Sequence, residues 1–251
     1  MAGRLCLTGV VRIEDGDDER LLHGVQPRLI LVRTGLEPGH PFTAEALGLL
    51  LWPNAAGFSE GALRGVIAKV RSYLGEAGRL DNAGHCYRFL PGEVSVDVEE
   101  ASHALAEAES ARRERRWADA AHAADSAVAL LSDPLLPGVD AEWLVPWRTR
   151  LERRRARAQR AAARAHSMLG DHDEARDLAE SALETDPFDE SSHRALMAVL
   201  LAGGNRSEAL LAYARLRRLL ADELGVEPDA ETRSLFEHAV ERTDPGGVGH
   251  D

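Results

Sequence analysis

Three groups of residues in this chain could do chemistry. The first is a set of cations, Arg64, Lys69 and Arg71, in the stretch LRGVIAKVRSYLG from Leu63 to Gly75. Leu63, Ile67, Val70 and Leu74 recur there at helical spacing, so they face inward and leave the cations on or beside the outer face. Arg64 could pair with the acceptor edge of a guanine, and Lys69 and Arg71 could hold phosphates. A solvated helix face would show the same pattern. Residues 59–79 carry four basic and two acidic side chains, a local charge of +2. The second group is Gly57-Phe58-Ser59-Glu60-Gly61, which matches the Gly-x-Ser-x-Gly pattern of hydrolase nucleophiles. That chemistry needs a strand running into the serine and a helix leaving it. Here a loop containing Pro53 precedes it, and Ser59 is fully explained as a helix N-cap. The third is the run Arg148 to Arg164, with eight arginines against Glu152. It could reach DNA or an acidic partner; pairing with acidic neighbours such as Glu107, Glu109 and Asp119 is the plainer expectation. His85, His103, His122, His166, His172 and His193 have no metal-ligand spacing. Trp117, Trp143 and Trp147 suit helix packing better than a binding cage.

The elements that must position these groups fall into two regions. Residues 4–13 are apolar and β-branched, a strand or short hairpin, with a turn at Asp15 to Asp18 and a second strand from Glu19 to His23. A buried helix runs from Pro27 to Gly35. Thr43 caps a helix to Leu51 with Leu47, Leu50 and Leu51 inward, and Ser59 caps the next. Cys86 to Leu90, a Pro91-Gly92 turn and Val94 to Val98 read as a hairpin. Strands, three helices and a closing hairpin within about 98 residues make a winged helix-turn-helix, whose recognition helix normally enters the major groove.

From residue 99 the pattern is all helical: roughly 100–114, 117–131, 141–169, 172–184, 190–202, 205–224 and 230–241. Gly204-Asn-Arg-Ser-Glu-Ala209 has a relative in Gly170-Asp-His-Asp-Glu-Ala175, and the alanines are 34 residues apart, the period of tetratricopeptide helix pairs. Arg115-Arg-Trp-Ala-Asp-Ala120 is a looser third copy. Small alanines let helices approach, and Gly-Asn or Gly-Asp makes the turn. An ordinary antiparallel bundle is the alternative. In the helix that follows Asn205, Glu208 completes a capping-box-like pair, Ala209, Tyr213, Leu216, Leu220 and Leu224 share a face, and Gly225 closes the end. The fold expected is thus mainly α: residues 1–98 an α+β winged helix-turn-helix, 99–243 an all-α tetratricopeptide-like helical-repeat domain, and 244–251 a disordered tail.

The 251 residues suffice for two domains without metal or disulfide staples. Cys6 and Cys86 form no disulfide framework and no zinc spacing, which fits a reduced cytoplasm. No apolar run reaches membrane-span length, and an acidic segment at Glu14 to Glu19 argues against a signal peptide. The net charge of −12 argues against a generic nucleic-acid coat. Residues 1–98 hold 10 basic and 12 acidic side chains, so the front is nearly neutral and the remainder carries −10.

On these residues the chain resembles the SARP family, antibiotic-pathway transcriptional regulators with a bacterial transcriptional activator domain. The resemblance rests on Leu51-Trp52, the helix from Leu63 to Gly75, Trp143 before the arginine-rich helix, Ala195-Leu196-Met197, and RRLLADELGVEPD from Arg217 to Asp229. It covers nearly the whole chain. It implies a cytoplasmic activator, not an enzyme, that binds double-stranded promoter repeats as a homodimer and recruits RNA polymerase, with no cofactor. It adds Ser59, Ala68 and Ser72 on the recognition helix and Arg88 in the wing to the DNA-contact candidates. The ATPase of longer relatives is expected to be absent, since no Gly-x-x-x-x-Gly-Lys loop occurs. Where relatives commonly carry Arg, Asn, Val, Ser and Arg, this helix has Glu60, Gly61, Gly65, Ala68 and Ser72, and Cys86 replaces a wing glycine. Those small residues and the acidic charge favour the alternative, a protein-interaction adaptor with a degenerate winged helix.

Overall fold

A computed structural model describes residues 3–53 and 59–241. The expected tail disorder and most of the loop before Ser59 lie outside the described residues. The chain packs as two compact units, Met1–His103 with Ala129–Leu151, and Ala104–Val128 with Glu152–Asp251.

In the first unit, β1 (Gly3–Cys6), β2 (Arg12–Asp15) and β3 (Asp18–Leu21) form an antiparallel meander. Gly16 with φ of 62° makes the tight link between β2 and β3. Three helices follow, α1 (Val25–Gly35), α2 (Ala44–Leu51) and α3 (Glu60–Leu74), with the short strand β4 (Phe42–Thr43) ahead of α2. Thr43 and Ser59 cap α2 and α3 as their sequence positions imply, each side chain accepting from the third residue on, Ala46 and Ala62.

The wing differs from its sequence reading. Its hairpin is β5 (Gly78–Ala83) with β6 (Cys86–Pro91), and β4 adds a third strand beside β6. Gly84 and His85 both have positive φ, 59° and 66°, the two-residue turn that suits the twist of a hairpin. Pro91-Gly92 is therefore not a hairpin turn. Gly92 instead lies against the backbone of α3's exit, where an added Cβ would meet Glu76 O at 2.5 Å. The next strand, β7 (Val94–Val96), leaves the wing and pairs in parallel with β1, completing a sheet of order β3-β2-β1-β7. Its last partner is Val96, because α4 (Asp97–Arg113) begins at the next residue.

The core of this unit joins Leu5, Leu7, Ile30, Leu31, Leu47, Leu63, Ile67, Leu74 and Phe89, all fully buried or nearly so. Leu131, Leu135, Leu136, Leu144 and Leu151 belong to the same core. The connecting segment is fixed by Arg148, whose guanidinium donates to the carbonyls of Leu135, Leu136 and Val139 at 2.7–2.9 Å. Packing thus interleaves the two regions that the sequence divides at residue 98.

The second unit is helical: the distal part of α4, α5 (Trp117–Leu130), α6 (Val145–Leu169), α7 (His172–Thr185), α8 (Glu190–Ala202), α9 (Arg206–Leu224) and α10 (Ala230–Glu241). Alanine layers join the first three. Leu105, Ala127 and Ala158 make one, Ala108, Ala124 and Ala162 the next, and Ala111, Ala120 and Ala165 the third. The order rises along α4 and α6 and falls along α5, so α5 is antiparallel to both. Without long side chains the helices can approach closely.

The three motif copies share one device. At Arg115, Gly170 and Gly204 the backbone turns left-handed, φ 58°, 93° and 81°. The N–H of each bonds back three residues, and the next N–H bonds back five, from Arg116 to Ala111 O, Asp171 to His166 O and Asn205 to Leu200 O. This pattern closes α4, α6 and α8 and starts α5, α7 and α9. The motif alanines Ala120, Ala175 and Ala209 are buried. The chain is therefore a series of helix hairpins. Two sequence details do not hold. Asn205 makes no side-chain cap bond, since its ψ of 54° turns the side chain off the helix start. Leu224 is 56% exposed because the helix outruns its partners before Gly225 closes it in the left-handed region.

Two outcomes are expected. A fragment of residues 99–251 would uncover Leu131, Leu135, Leu136, Leu144 and Leu151, each worth about 1.5–3 kcal/mol while buried. It should elute as aggregate in size-exclusion chromatography; a monodisperse helical fragment would favour the division at residue 98. Arg115→Gly should relieve the left-handed cost at an exposed residue and raise stability by about 0.5–1 kcal/mol, while Gly204→Ala should lower it by about as much. Urea midpoints at unchanged m-value would show both.

Candidate nucleic-acid interface

Helix α3 is positioned by its buried stripe, Leu63, Val66, Ile67, Val70 and Leu74, which enters the core beside α1 and α2. Its C-terminal end is fixed by Tyr73, whose hydroxyl donates to the Arg20 carbonyl at 2.8 Å. Burial pushes that phenol up to about 12. The opposite face is set by what remains. Gly61, Gly65, Ala68 and Ser72 occupy its centre and all four are exposed. Nothing lies within 4 Å of where a side chain at Gly65 would start, so this face is smooth and open.

The cations flank that surface. Arg64 pairs with Glu60 on the preceding turn, Nη2 to Oε2 at 2.6 Å, with the arginine side chain 70% exposed. Such a pair costs only about 0.3–0.5 kcal/mol to open, so Arg64 is available to another acceptor. Lys69 is exposed and makes no hydrogen bond or ion pair among the described residues. Arg71 is different: its Nε donates to the Leu80 carbonyl at 2.8 Å, tying α3 to the first wing strand. Ser59 is exposed at the helix start, its hydroxyl occupied by Ala62 N at 3.3 Å. Arg88 stands on β6 and pairs across the hairpin with Asp81 at 3.1 Å. That guanidinium holds the Asp81 carboxyl below the usual carboxylate range.

The structure thus brings Ser59, Arg64, Ala68, Lys69 and Ser72 to one exposed helix face, while Arg71 and Arg88 are tied to the wing. Sequence reasoning missed Asn82 and His85. Both sit at the wing tip and, with Glu60, Arg64 and Tyr87, line a small cleft of about 80 Å³ beside the start of α3. The Gly84-His85 pair was the available signal, since histidine is among the non-glycine residues enriched at positive φ, but it is weaker than an Asn-Gly or Asp-Gly pair.

The arginine run follows its expected pairing only in part: Arg160 pairs with an acid and Arg157 lies near enough to Glu109 to lower its carboxyl, but the closest partners of Glu109 and Asp119 are other arginines. Glu109 bonds to Arg112, and Asp119 to Arg116, both outside the run. Within it, Arg148 serves loop carbonyls, Arg150 stacks over Trp147 at 4.6 Å, and Arg160 meets Asp189 at 2.6 Å. Cys6 is buried, and burial pushes its thiol up to about 12. Among the described residues no cluster could hold a metal ion, and no helix is long and apolar enough to cross a membrane.

Comparison with known proteins agrees with this architecture. Residues 96–239 match the family model described as the bacterial transcriptional activator domain. The regulatory protein AfsR of Streptomyces griseus is 28% identical over 233 residues, 92% of this chain and 24% of that protein. AfsR of Streptomyces coelicolor is 30% identical over 234 residues, 90% of this chain and 23% of that one. The chain therefore spans about a quarter of the length of these curated relatives. The regulatory protein DnrI of Streptomyces peucetius is 43% identical over 60 residues, 24% of this chain and 22% of its own length. Among solved structures, Mycobacterium tuberculosis EmbR, in complex with a low affinity phosphopeptide, superposes with a TM-score of 0.84 at 22% identity, covering 95% of this chain and 65% of that one. That likeness shows the shared fold, a winged helix followed by helical repeats. The chain belongs to the SARP-type family of transcriptional regulators that carry a bacterial transcriptional activator domain.

Proposed function

We propose that this chain is a DNA-binding transcriptional activator of a secondary-metabolite biosynthesis cluster, acting in the cytoplasm. In this reading residues 1–98 read DNA and 99–243 form the activator domain, which recruits RNA polymerase. The observation that carries it is α3: its apolar stripe is fully used in the core, leaving Arg64 and Lys69 exposed beside the wing. Arg64 is assigned to a base edge and Lys69 to a phosphate. Arg71 ties the helix to the wing, Arg88 pairs across the wing hairpin, and both touch DNA only at its margin. The smooth centre of Gly61, Gly65 and Ala68 lets a groove wall approach closely but offers little base readout. One protomer should bind weakly, so useful affinity needs a homodimer on promoter repeats about one or two helical turns apart.

A second reading, a protein-interaction adaptor that no longer reads DNA, is favoured by that same uncharged centre. Fluorescence anisotropy on cognate and scrambled promoter duplexes across a salt series separates the two. Arg64→Ala should cost on the order of 1–3 kcal/mol and relax base preference. Lys69→Ala should weaken all sequences alike and lower the salt slope by about one. If neither substitution changes binding, or no promoter fragment is preferred, the adaptor reading stands.

The family is a regulator type and not an enzyme class, and Ser59 serves as a helix cap rather than a nucleophile. Ser59→Ala should lower stability by about 0.5–2 kcal/mol. A serine-directed phosphonate probe should leave Ser59 unlabelled; labelling there would promote a hydrolase.

A further inference from the structure

The second unit contains a groove of about 610 Å³ that DNA reading does not use. It is lined by one face each of α4, α6 and α8, with Leu235 of α10 at its edge. Its floor is small and apolar, with Ala161, Ala195, Ala198 and Val199. Five arginines surround that floor, Arg112, Arg157, Arg160, Arg164 and Arg194, against the single acid Glu109. This basic groove sits in the region of the chain that carries the −10 charge, so its sign is opposite to its surroundings.

The arginines divide into two kinds. Arg112 is spent on Glu109, Arg160 on Asp189, and Arg194 on Asp229 and Glu231. These pairs brace the helices. Arg157 and Arg164 are exposed and make no hydrogen bond or ion pair among the described residues, although Arg157 lies near enough to Glu109 to help hold that carboxyl down. They lie seven residues apart on α6, two turns along one face, about 10.5 Å at 1.5 Å per residue. A peptide in the polyproline II conformation advances about 3.1 Å per residue with three residues per turn, so carboxylates at positions i and i+3 share one face and come close to that interval.

We propose that this groove binds an extended acidic peptide segment of a partner protein, with two carboxylates three residues apart on Arg157 and Arg164 and small apolar side chains on the alanine floor. Charge complementarity selects the acid. The apolar floor and the acidic surroundings favour a peptide over nucleic acid, which would meet repulsion beyond the groove. The inference is independent of the role of α3.

The 251-residue chain would be titrated into fluorescein-labelled nine-residue peptides: three repeats of Asp-Leu-Ala, and the same with Asn for Asp. The acidic peptide is expected to bind at least tenfold tighter and to weaken at 0.5 M salt. Arg157→Gln with Arg164→Gln should lose at least tenfold. These side chains are exposed, so the variant should keep its circular dichroism spectrum. Ala198→Leu, also exposed, should fill the floor and lose affinity with charge unchanged. Arg64→Ala should bind the peptide as the wild type does, which keeps this result separate from the DNA reading. No binding by the acidic peptide, equal binding of the Asn peptide, or an unchanged double variant would overturn the proposal. So would duplex DNA that displaces the peptide and itself loses affinity in the double variant, since the groove would then belong to nucleic acid.

Discussion

One buried carboxylate holds the first unit together. Asp97 is almost fully buried, and its Oδ2 accepts from Leu7 N at 2.8 Å, Thr8 N at 2.9 Å and the Thr8 hydroxyl at 2.8 Å. Its Oδ1 accepts from Val98 N. Burial pushes this carboxyl up, and the four donors, Thr8 first, pull it back. The Thr8 hydroxyl also lies 3.2 Å from Leu130 O, and Gly9 N donates to Pro134 O. The end of β1, the start of α4 and the segment beyond α5 thus meet at one polar knot. Removing the carboxylate would leave three backbone donors, those of Leu7, Thr8 and Val98, buried without that partner, at about 1–3 kcal/mol each. Because β7 pairs with β1 just before this point, the knot also fixes where the wing's exit strand lies. The position of α3 follows from that frame.

The same knot explains how the repeat is interrupted. The motif alanines Ala175 and Ala209 are 34 residues apart, but Ala120 precedes Ala175 by 55. The excess of 21 is close to the 23 residues of Ala129–Leu151, the segment that packs with the first unit. The helix-hairpin series is regular in its turns and alanine contacts, and irregular in sequence only because one connection was diverted to another core. Arg115 shows the cost of that looser copy, occupying a backbone conformation that glycine fills at the other two turns.

Much of this was legible from residue types. Most helix stripes, the Thr43 and Ser59 caps and the Gly225 stop are local features and appear where their chemistry places them, Leu224 and Asn205 being the exceptions. The misread elements depend on distant partners. Val94 to Val96 looks like the return strand of a hairpin, yet its partner is β1, some ninety residues earlier. Gly84-His85 hid the true wing turn because it is a weaker hairpin signal than Asn-Gly or Asp-Gly, and Pro91-Gly92 nearby competed with it. Exposure of α3's cations followed from the stripe alone. That Arg71 is held by Leu80 O and Arg88 by Asp81 could not follow from it, since both contacts cross between elements.

How an acidic chain could engage DNA is a question of range. At physiological ionic strength the screening length is about 8 Å, so fixed charge acts strongly only on what lies within it. The net −12 therefore bears mainly on encounter, making long-range steering toward a polyanion unfavourable. In the proposed reading contact is decided by the groups at the surface itself, and those assigned on α3 are Arg64 and Lys69 beside a neutral, low-profile centre. Such a surface suits slow association and dependence on a second site more than tight monomeric binding. The cations braced inside the helical unit, such as Arg112, Arg160 and Arg194, do not offset this, because their charge is already matched by carboxylates in direct contact.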